Sequence, residues 1–449
     1  MFGRVLIANR GEVAARVAAT CRRLGIETVA VTSQVDRSHA WLASVDRVVC
    51  VGEAAARESY LNEDAILDAA VRYRCSALHP GWGFLSESAS FAQRCQDAGV
   101  RFVGPRPVDI QRMGDKALAK TTMTQLGLPT IPGSDGVLPD SASARAAAHG
   151  VGYPVLLKAV AGGGGKGMRQ VDSDADLEAA WDAATAEAVS SFGDGRLYLE
   201  KKLVGARHVE VQVFADRYGN TTHLGERECS LQRRHQKVLE ESPSPALTEG
   251  ARAALLERVA EAVRRSGYRN AGTVELLVDA DENAYFLEMN TRLQVEHGVT
   301  EVRTGVDLVE WQLREAANQS IQPLIDALQH RGHAIECRIN AEDPDQGFKP
   351  CPGEVSRVVW PEGPGIRVDT HLNAGDRIPP HYDATVAKVI AWGKTRDAAM
   401  ERMRLALAAL TVEGVTTNQA LHERILNWEP FVTGCYDIHS LESGLKGGL

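Results

Sequence analysis

Along the first hundred residues the hydrophobic positions switch between two periods. RVLIA (4–8) is a short apolar run, GEVAARVAATCRRLG (11–25) spaces its apolar residues along one helical face, and ETVAVTS (27–33) is a second apolar run. SALHP (76–80) and RFVGP (101–105) read as further strands, with the helical EDAILDAAVRYR (63–74) before the first of them. Strands separated by helices predict a parallel, doubly wound, Rossmann-like sheet over residues 1–113. GLPTIPGSDG (127–136) breaks the pattern as a linker. A compact α/β segment runs on to about residue 203. From 204 the strands alternate like hairpins, with ALTEGARAALLERVAEAVRRSG (246–267) as a helix between them. The remainder mixes HAIECRI, GEVSRVV and ATVAKVIAW with one strong helix, TRDAAMERMRLALAALT, as an α+β tail.

Composition narrows the function classes. At 449 residues, 44% hydrophobic and 24% charged, the chain is ordinary globular material too long for one small core. A net charge of -9 argues against sequence-independent nucleic-acid binding. No apolar run approaches a membrane span, and MFGRVLIANRGE reaches a charge too soon for a secretory signal. Eight cysteines (Cys21, Cys50, Cys75, Cys95, Cys229, Cys337, Cys351, Cys435) show no metal-ligand spacing, which fits reduced thiols and a cytoplasmic location. The turn ANRGE lacks the glycine spacing of a dinucleotide site.

The candidate chemistry begins at KAVAGGGGKGMR (158–169). Gly162, Gly164 and Gly167 satisfy GxGxxG, but MRQV after the loop reads as a strand, so the loop joins two strands. No Gly-Lys-Ser/Thr follows, which excludes a Walker A loop. What remains is a glycine hairpin whose N–H groups can close over phosphates, flanked by Lys158 and Lys166. A flexible surface hairpin is the competing reading.

A second constellation is TVELLVDADENAYFLEMNTRLQVEH (273–297), read as strand, turn, strand. With the turn centred between Asp281 and Glu282, Glu275 lies across from Glu288. Like charges so placed repel unless a cation sits between them, and Mg²⁺ or Mn²⁺ with a bound phosphate would remove the conflict. Alternation puts Glu288, Asn290, Arg292, Gln294 and Glu296 on one strand face. A solvated polar face is the alternative. HVEVQV (208–213) sets His208, Glu210 and Gln212 opposite three valines. ERECSLQRRHQKVLEE (226–241) concentrates Arg233, Arg234, His235 and Lys237, suited to an anionic substrate or, equally, a solvated basic loop neutralised by its glutamates. YLEKKL (198–203) is a strand end where an adenine could receive backbone hydrogen bonds.

ANRGE, HPGWGFLSES, MGDK, KAVAGGGGKGMR, ERECSLQRRHQK, EMNTRLQVEH, ECRINAEDP and HYDATVAK, in this order across essentially the whole chain, resemble the ATP-grasp enzymes and more closely biotin carboxylase. The resemblance implies an α/β and α+β, ATP-grasp fold: a Rossmann-like domain over 1–113, an ATP-grasp domain over 114–330 with a mobile lid at 131–203, and a C-terminal domain over 331–449. It implies carboxylation of biotin at N1′ by ATP and bicarbonate through carboxyphosphate. Lys116 and Lys158 would then contact the ATP phosphates, with Gly163, Gly164, Gly165, Lys166 and Gly167 in the lid. Glu200, Lys201 and Leu203 would frame the adenine, and His208, Gln232 and His235 would approach the ribose and phosphates. Glu275 and Glu288, aided by Asn290, would hold Mg²⁺ or Mn²⁺. Arg292, Gln294 and the backbone of Val295 would bind bicarbonate, with Lys237 between bicarbonate and the γ-phosphate. Glu296 would be the general base, its ionised form favoured by Arg292, and Arg338 would stabilise the enolate-like oxygen of biotin. The implied partners are a separate biotin carboxyl carrier protein, a carboxyltransferase and a second copy in a homodimer.

Three positions depart from the family pattern: Gly298 where proline is usual after the Glu-His pair, Trp82 for tyrosine, and GCYDIHSLES at the C-terminus. Glycine frees a backbone that proline would fix, which bears on the placement of Glu296. Another ATP-grasp ligase, of the carbamoyl-phosphate or carboxylate–amine type, and a nucleotide-binding regulatory subunit are the alternatives. HPGWGFLSES, ECRINAEDP and Arg338 favour biotin carboxylase over the first. An intact set of Glu275, Glu288, Arg292, Glu296 and Arg338 disfavours the second.

Overall fold

The computed structural model describes residues 1–160, 167–234 and 236–449. The N-terminal strands β1 (Arg4–Ile7), β2 (Glu27–Ser33), β3 (Arg47–Gly52), β4 (Ala77–His79) and β5 (Arg101–Phe102) form one sheet in the order β3-β2-β1-β4-β5. Every pairing in it is parallel, as expected when each strand returns through a helix. Val5 and Ile7 pack with Val13 and Val17 of helix Gly11–Arg23, all fully buried; burying one such side chain contributes about 1.5–3 kcal/mol.

A second sheet has three strands, β6 (Val155–Ala159), β7 (Met168–Val171) and β8 (Leu197–Lys201), in the order β7-β6-β8. Both of its pairings are antiparallel, so the segments flanking the glycine run are two adjacent strands, as their sequence predicts. Helices Ser141–Val151 and Leu177–Phe192 close over it around Ala144, Ala148, Val155, Leu157 and Leu199.

The central sheet carries the site. Strands β9 (Arg207–Ala215), β10 (Thr221–Arg233), β11 (Gln236–Ser242), β12 (Asn270–Val278), β13 (Ala284–Asn290) and β14 (His333–Asn340) are joined by Thr385–Gly393 and Ile366–Thr370. Their order is β13-β12-β9-β10-β11-β14, then Thr385–Gly393, then Ile366–Thr370. Val209, Val211 and Val213 of β9 pack against Val259 and Val263 of helix Glu249–Ser266. That helix starts at Thr248, whose hydroxyl accepts from Ala251 N–H, and ends at Gly267 in the left-handed region. The valine stripe faces the core, so the intervening His208, Glu210 and Gln212 are committed to the other face.

The longer strands of the α+β tail join the central sheet. HAIECRI and ATVAKVIAW do not build a sheet of their own; β14 pairs with β11, setting Glu240 opposite Glu336 and Leu239 opposite Cys337. The reason is burial: strand Thr385–Gly393 is buried along most of its length and needs partners on both edges. GEVSRVV splits into Gly353–Glu354 and Arg357–Val359, which pair with different strands. Among the described residues no helix is long and apolar enough to cross a membrane.

Candidate active site

Glu275 on β12 faces Glu288 on β13, the pair expected from the sequence, but by a different route. Next to the turn, Val278 pairs with Ala284 and Leu276 with Phe286, a register centred on Asp281 rather than one half-step later. A bulge at Leu287 then shifts the ladder and brings the two carboxylates opposite each other.

The strand face expected to run from Glu288 to Glu296 does not. β13 ends at Asn290, and residues 291–296 leave the sheet before helix His297–Thr304. Glu87, from the HPGWGFLSES stretch, draws the chain aside: it accepts from Thr291 N–H at 3.0 Å and from Arg292 Nε at 2.9 Å. Arg292 also donates to Gln294 Oε1 at 2.7 Å and Asn290 Oδ1 at 3.0 Å, and among the described residues it makes no hydrogen bond or ion pair with Glu296. The expectation that Arg292 keeps Glu296 ionised is therefore corrected.

That work falls to Lys237 and Arg338. Lys237 Nζ lies 2.6 Å from Glu210, 3.0 Å from Glu275 and 2.6 Å from Glu296. Arg338 Nη2 donates to the other Glu296 oxygen at 2.9 Å, and Arg338 Nε donates to Glu240 at 2.6 Å. Below them Arg227, fully buried, donates to Glu210 at 2.5 Å. Burial pushes the Glu296 carboxyl up, but Lys237, Arg338 and Arg227 together hold it well below the usual range. Burial likewise opposes the charge on Lys237, and Glu210, Glu275 and Glu296 overcome it, so the ammonium persists well above its ordinary pKa. Glu240 receives less compensation: burial, with Glu296 adding to it, pushes it up to about 7 against the pull of Arg338.

Lys237, Glu275, Glu296 and Arg338 line one end of a cleft of about 870 Å³, with Glu210, Arg227 and Glu240 buried behind them. The other end lies between the central and three-stranded sheets. Asp115 caps helix Lys116–Gln125 by accepting from Leu118 N–H, which sets Lys116 and Lys120 on the side of the cleft. Lys116 Nζ lies 3.3 Å from Glu288, and Lys120 Nζ lies 2.5 Å from Glu200, whose other oxygen takes Lys158. Lys201 turns its ammonium away, donating to the carbonyls of Gly152 and Tyr153 at 2.8 Å, which leaves its backbone facing the cleft. Leu203, His208, Gln232, Gln294 and Val295 line the same space, and Gln232 Nε2 lies 3.3 Å from His208 Nδ1. Gly167 stays at the foot of its hairpin, where its carbonyl accepts from Ala159 N–H at 2.8 Å. Gly163, Gly164, Gly165, Lys166 and His235 lie outside the described residues.

Sequence reasoning missed several groups. Lys120 is one helical turn beyond Lys116 in MGDKALAK, a spacing that places both on one face and could have found it. Glu87, Arg227 and Glu240 act through pairings between distant segments and leave no local signal. The C-terminal segment is also part of the wall: Ile438, His439 and Glu442 line the cleft. Tyr436 anchors that segment, donating to Glu241 at 2.5 Å beneath the Arg207 guanidinium, 3.9 Å above its ring. Trp82 lines the cleft too, with its carbonyl accepting from Asn9 at 2.8 Å. Gly298 is not loose: a Cβ there would lie 2.3 Å from Ile390 Cδ1 and 3.0 Å from Glu336 Oε2, so Ile390 fills the space a larger residue would need.

The donor set fits a hard divalent cation. His208, Glu210 and Glu275 bring ligand atoms within 4.8 Å of one another, but the Lys237 ammonium already contacts both of those glutamates. Glu288, partly open and among the described residues held only by the exposed Lys116, is the carboxylate placed to join Glu275, with the Asn290 amide beside it.

Residues 1–110 match the family described as "Biotin carboxylase, N-terminal domain" and 336–443 the "Biotin carboxylase C-terminal domain". Residues 115–324 match "Carbamoyl-phosphate synthase L chain, ATP binding domain". The chain is 49% identical over 446 residues to a biotin carboxylase of Pseudomonas aeruginosa, covering 99% of each. The chain belongs to the biotin carboxylase family. A relative from Nostoc sp. is 47% identical over 433 residues, 96% of this chain and 97% of that one. Among solved structures, the bicarbonate-bound biotin carboxylase domain of a thermophilic 2-oxoglutarate carboxylase aligns with TM-score 0.94 at 42% identity over 99% of this chain and 98% of that one. The Campylobacter jejuni biotin carboxylase–β,γ-ATP complex aligns with TM-score 0.92 at 41% identity, covering 99% of both. The fold is that of the ATP-grasp biotin carboxylases, and the activity is ATP-dependent carboxylation of biotin. The two flanking matches are what separate the chain from the carbamoyl-phosphate branch that shares its central domain.

Proposed function

We propose that the two ends of the cleft divide the reaction. At the open end Lys116, Lys120 and Lys158 receive the ATP phosphates, Glu200, Lys201 and Leu203 frame the adenine, and His208 and Gln232 reach towards the ribose. Glu275, Glu288 and Asn290 hold the divalent ion, which neutralises phosphate charge when bound. At the buried end Arg292, Gln294 and the Val295 backbone receive bicarbonate beside Lys237.

A bicarbonate oxygen attacks the γ-phosphorus as the bond to ADP breaks, and the bicarbonate proton passes to Glu296. The observation that carries this reading is the double clamp on Glu296, with Lys237 at 2.6 Å and Arg338 at 2.9 Å on its two oxygens. A carboxylate so held is ionised but weakly basic. Bound anions draw the same two cations, and as they turn from Glu296 its affinity for a proton rises when the proton must be taken. Carboxyphosphate then yields CO₂ and phosphate. Phosphate takes the N1′ proton of biotin, N1′ attacks CO₂, and Arg338, unable to act as a base, stabilises the anionic ureido oxygen. Exclusion of water matters because carboxyphosphate hydrolyses readily.

Biotin arrives on a separate carrier protein and leaves for a carboxyltransferase, in the cytoplasm, from a homodimer; one structural relative, described as a biotin carboxylase domain dimer, supports the last. The test is bicarbonate-dependent ADP release from MgATP, with and without free biotin. Biotin should stimulate release in the wild type and fail to stimulate it in Arg338→Ala. Biotin stimulation retained in Arg338→Ala would overturn the assignment of Arg338.

A further inference from the structure

ANRGE and HYDATVAK supply no residue to the cleft chemistry above except Asp383 and Thr385 in its wall, yet both send a charged side chain to the same buried point. Lys388, fully buried on strand Thr385–Gly393, is the cross-strand partner of Arg338 on one side and of Asp369 on the other. Its ammonium lies 2.9 Å from Glu12 of helix Gly11–Arg23, 3.6 Å from Asp369, and donates to the Val295 carbonyl at 2.8 Å. One side chain thus ties the first helix, the C-terminal strands and the loop carrying Gln294, Val295 and Glu296.

The Val295 carbonyl belongs to the peptide unit that leads into Glu296. Fixing it fixes the orientation of the Glu296 backbone, held at φ -80 and ψ 14, between the common helical and extended regions. Glu296 stands at the start of helix His297–Thr304 but its side chain makes no capping hydrogen bond; it turns to Lys237 and Arg338 instead. A helix start without its side-chain cap needs bracing elsewhere. His297 Nδ1 braces the Gln294 carbonyl at 2.8 Å, and Lys388 braces the next one. A charged brace in so dry a place persists because Glu12 and Asp369 compensate it, and Asp369 is itself held by Arg367 at 2.6 Å.

We propose that Lys388 is a positioning residue for the Gln294–Glu296 loop, and that Glu12 of the first helix is the counter-charge that keeps it in place. The idea rests on the reading of that loop as the bicarbonate end of the site. Lys388 touches no substrate; it sets the direction in which Val295 and Glu296 meet bicarbonate, while the nucleotide end is left alone.

Three variants test it: Lys388→Met, the double Glu12→Gln/Lys388→Met, which removes both members of the pair, and Glu296→Gln. Each is assayed for ADP affinity by titration calorimetry, for thermal melting, and for kcat and KM towards bicarbonate and ATP separately. A misplaced reacting group costs on the order of 100-fold in rate. Lys388→Met should therefore lose roughly that much in bicarbonate kcat/KM, with ADP affinity within about twofold of wild type. The double variant should melt closer to wild type than Lys388→Met and keep the loss, which a merely structural role would not produce. Where Lys388→Met does not fold, the double variant decides alone. Wild-type bicarbonate turnover in a folded Lys388→Met or in the double variant overturns the proposal, as does a loss shared equally by ADP affinity. Glu296→Gln separates the two claims: if it too turns over at the wild-type rate, the reading of the loop has failed along with the brace.

Discussion

The two ends of the cleft use the same residue types in opposite settings. Lys116 and Glu288 pair at 3.3 Å with side chains 69% and 36% exposed. Lys237 and Glu296 pair at 2.6 Å with side chains 12% and 1% exposed. The exposed pair is screened and contributes roughly 0–1 kcal/mol, so it opens readily to a metal ion and phosphate. The buried cluster has given up its hydration and holds its shape only while every charge is matched. One end is built to exchange partners and the other to keep a carboxylate ready.

Lys237→Met breaks the comparison most severely. It leaves Glu210, Glu275 and Glu296 buried without their shared cation, and loss of one partner from a buried pair costs about 3–5 kcal/mol. Urea denaturation should show that loss, and bicarbonate-dependent ADP release should vanish. Arg338→Ala comes next, with biotin-stimulated release falling about 10²- to 10³-fold, as for removal of one donor to a developing oxyanion, while ADP binding persists.

Glu240 gives a pH signature of the buried end. Its folded pKa of about 7 stands above the ordinary 4.5, so between these values the folded protein keeps a proton that the unfolded chain has released. The Glu240 contribution to stability is thus present below pH 4.5 and declines as pH rises through 7, at up to about 1.4 kcal/mol per pH unit. Denaturant midpoints collected across this window should fall less steeply in Glu240→Gln than in wild type; equal slopes would remove the proton from Glu240. The smallest stability effect belongs to the open end. Lys116→Gln and Glu288→Gln should each change unfolding free energy by less than about 1 kcal/mol. Glu288→Gln should nonetheless raise the Mg²⁺ concentration needed for half-maximal ADP release, and a stability loss as large as that of Lys237→Met would erase the contrast between the ends.

Much of this was legible in the chain. Period-2 alternation in HVEVQV committed His208 and Glu210 to the sheet face opposite the core because three valines demanded the core, with His208 lining the cleft and Glu210 buried against Lys237. Strand–helix alternation predicted the parallel first sheet. The Glu275–Glu288 pairing was also legible, though by a turn one half-step out that a bulge at Leu287 corrects, and bulges leave no periodic trace. The face from Glu288 to Glu296 misled for a related reason. Polar residues recur at every second position from Glu288 to Glu296, but the strand has ended at Asn290 and Glu87 reaches over from the N-terminal domain to draw the chain aside, a contact between residues 204 and 205 positions apart. The cations on Glu296 were named from the sequence, but their pairing with it was not, since Lys237 and Arg338 come from strands that only the assembled sheet makes neighbours.

Labelled bicarbonate offers the most direct test of the central claim, that Glu296 in its cationic clamp initiates carboxylation of biotin. Wild type and Glu296→Gln are incubated with MgATP, [¹⁴C]bicarbonate and free biotin, and acid-labile label on biotin is measured alongside ADP affinity. The account predicts label on biotin in the wild type and essentially none in Glu296→Gln, with ADP bound equally by both. Comparable label in the two proteins would contradict it.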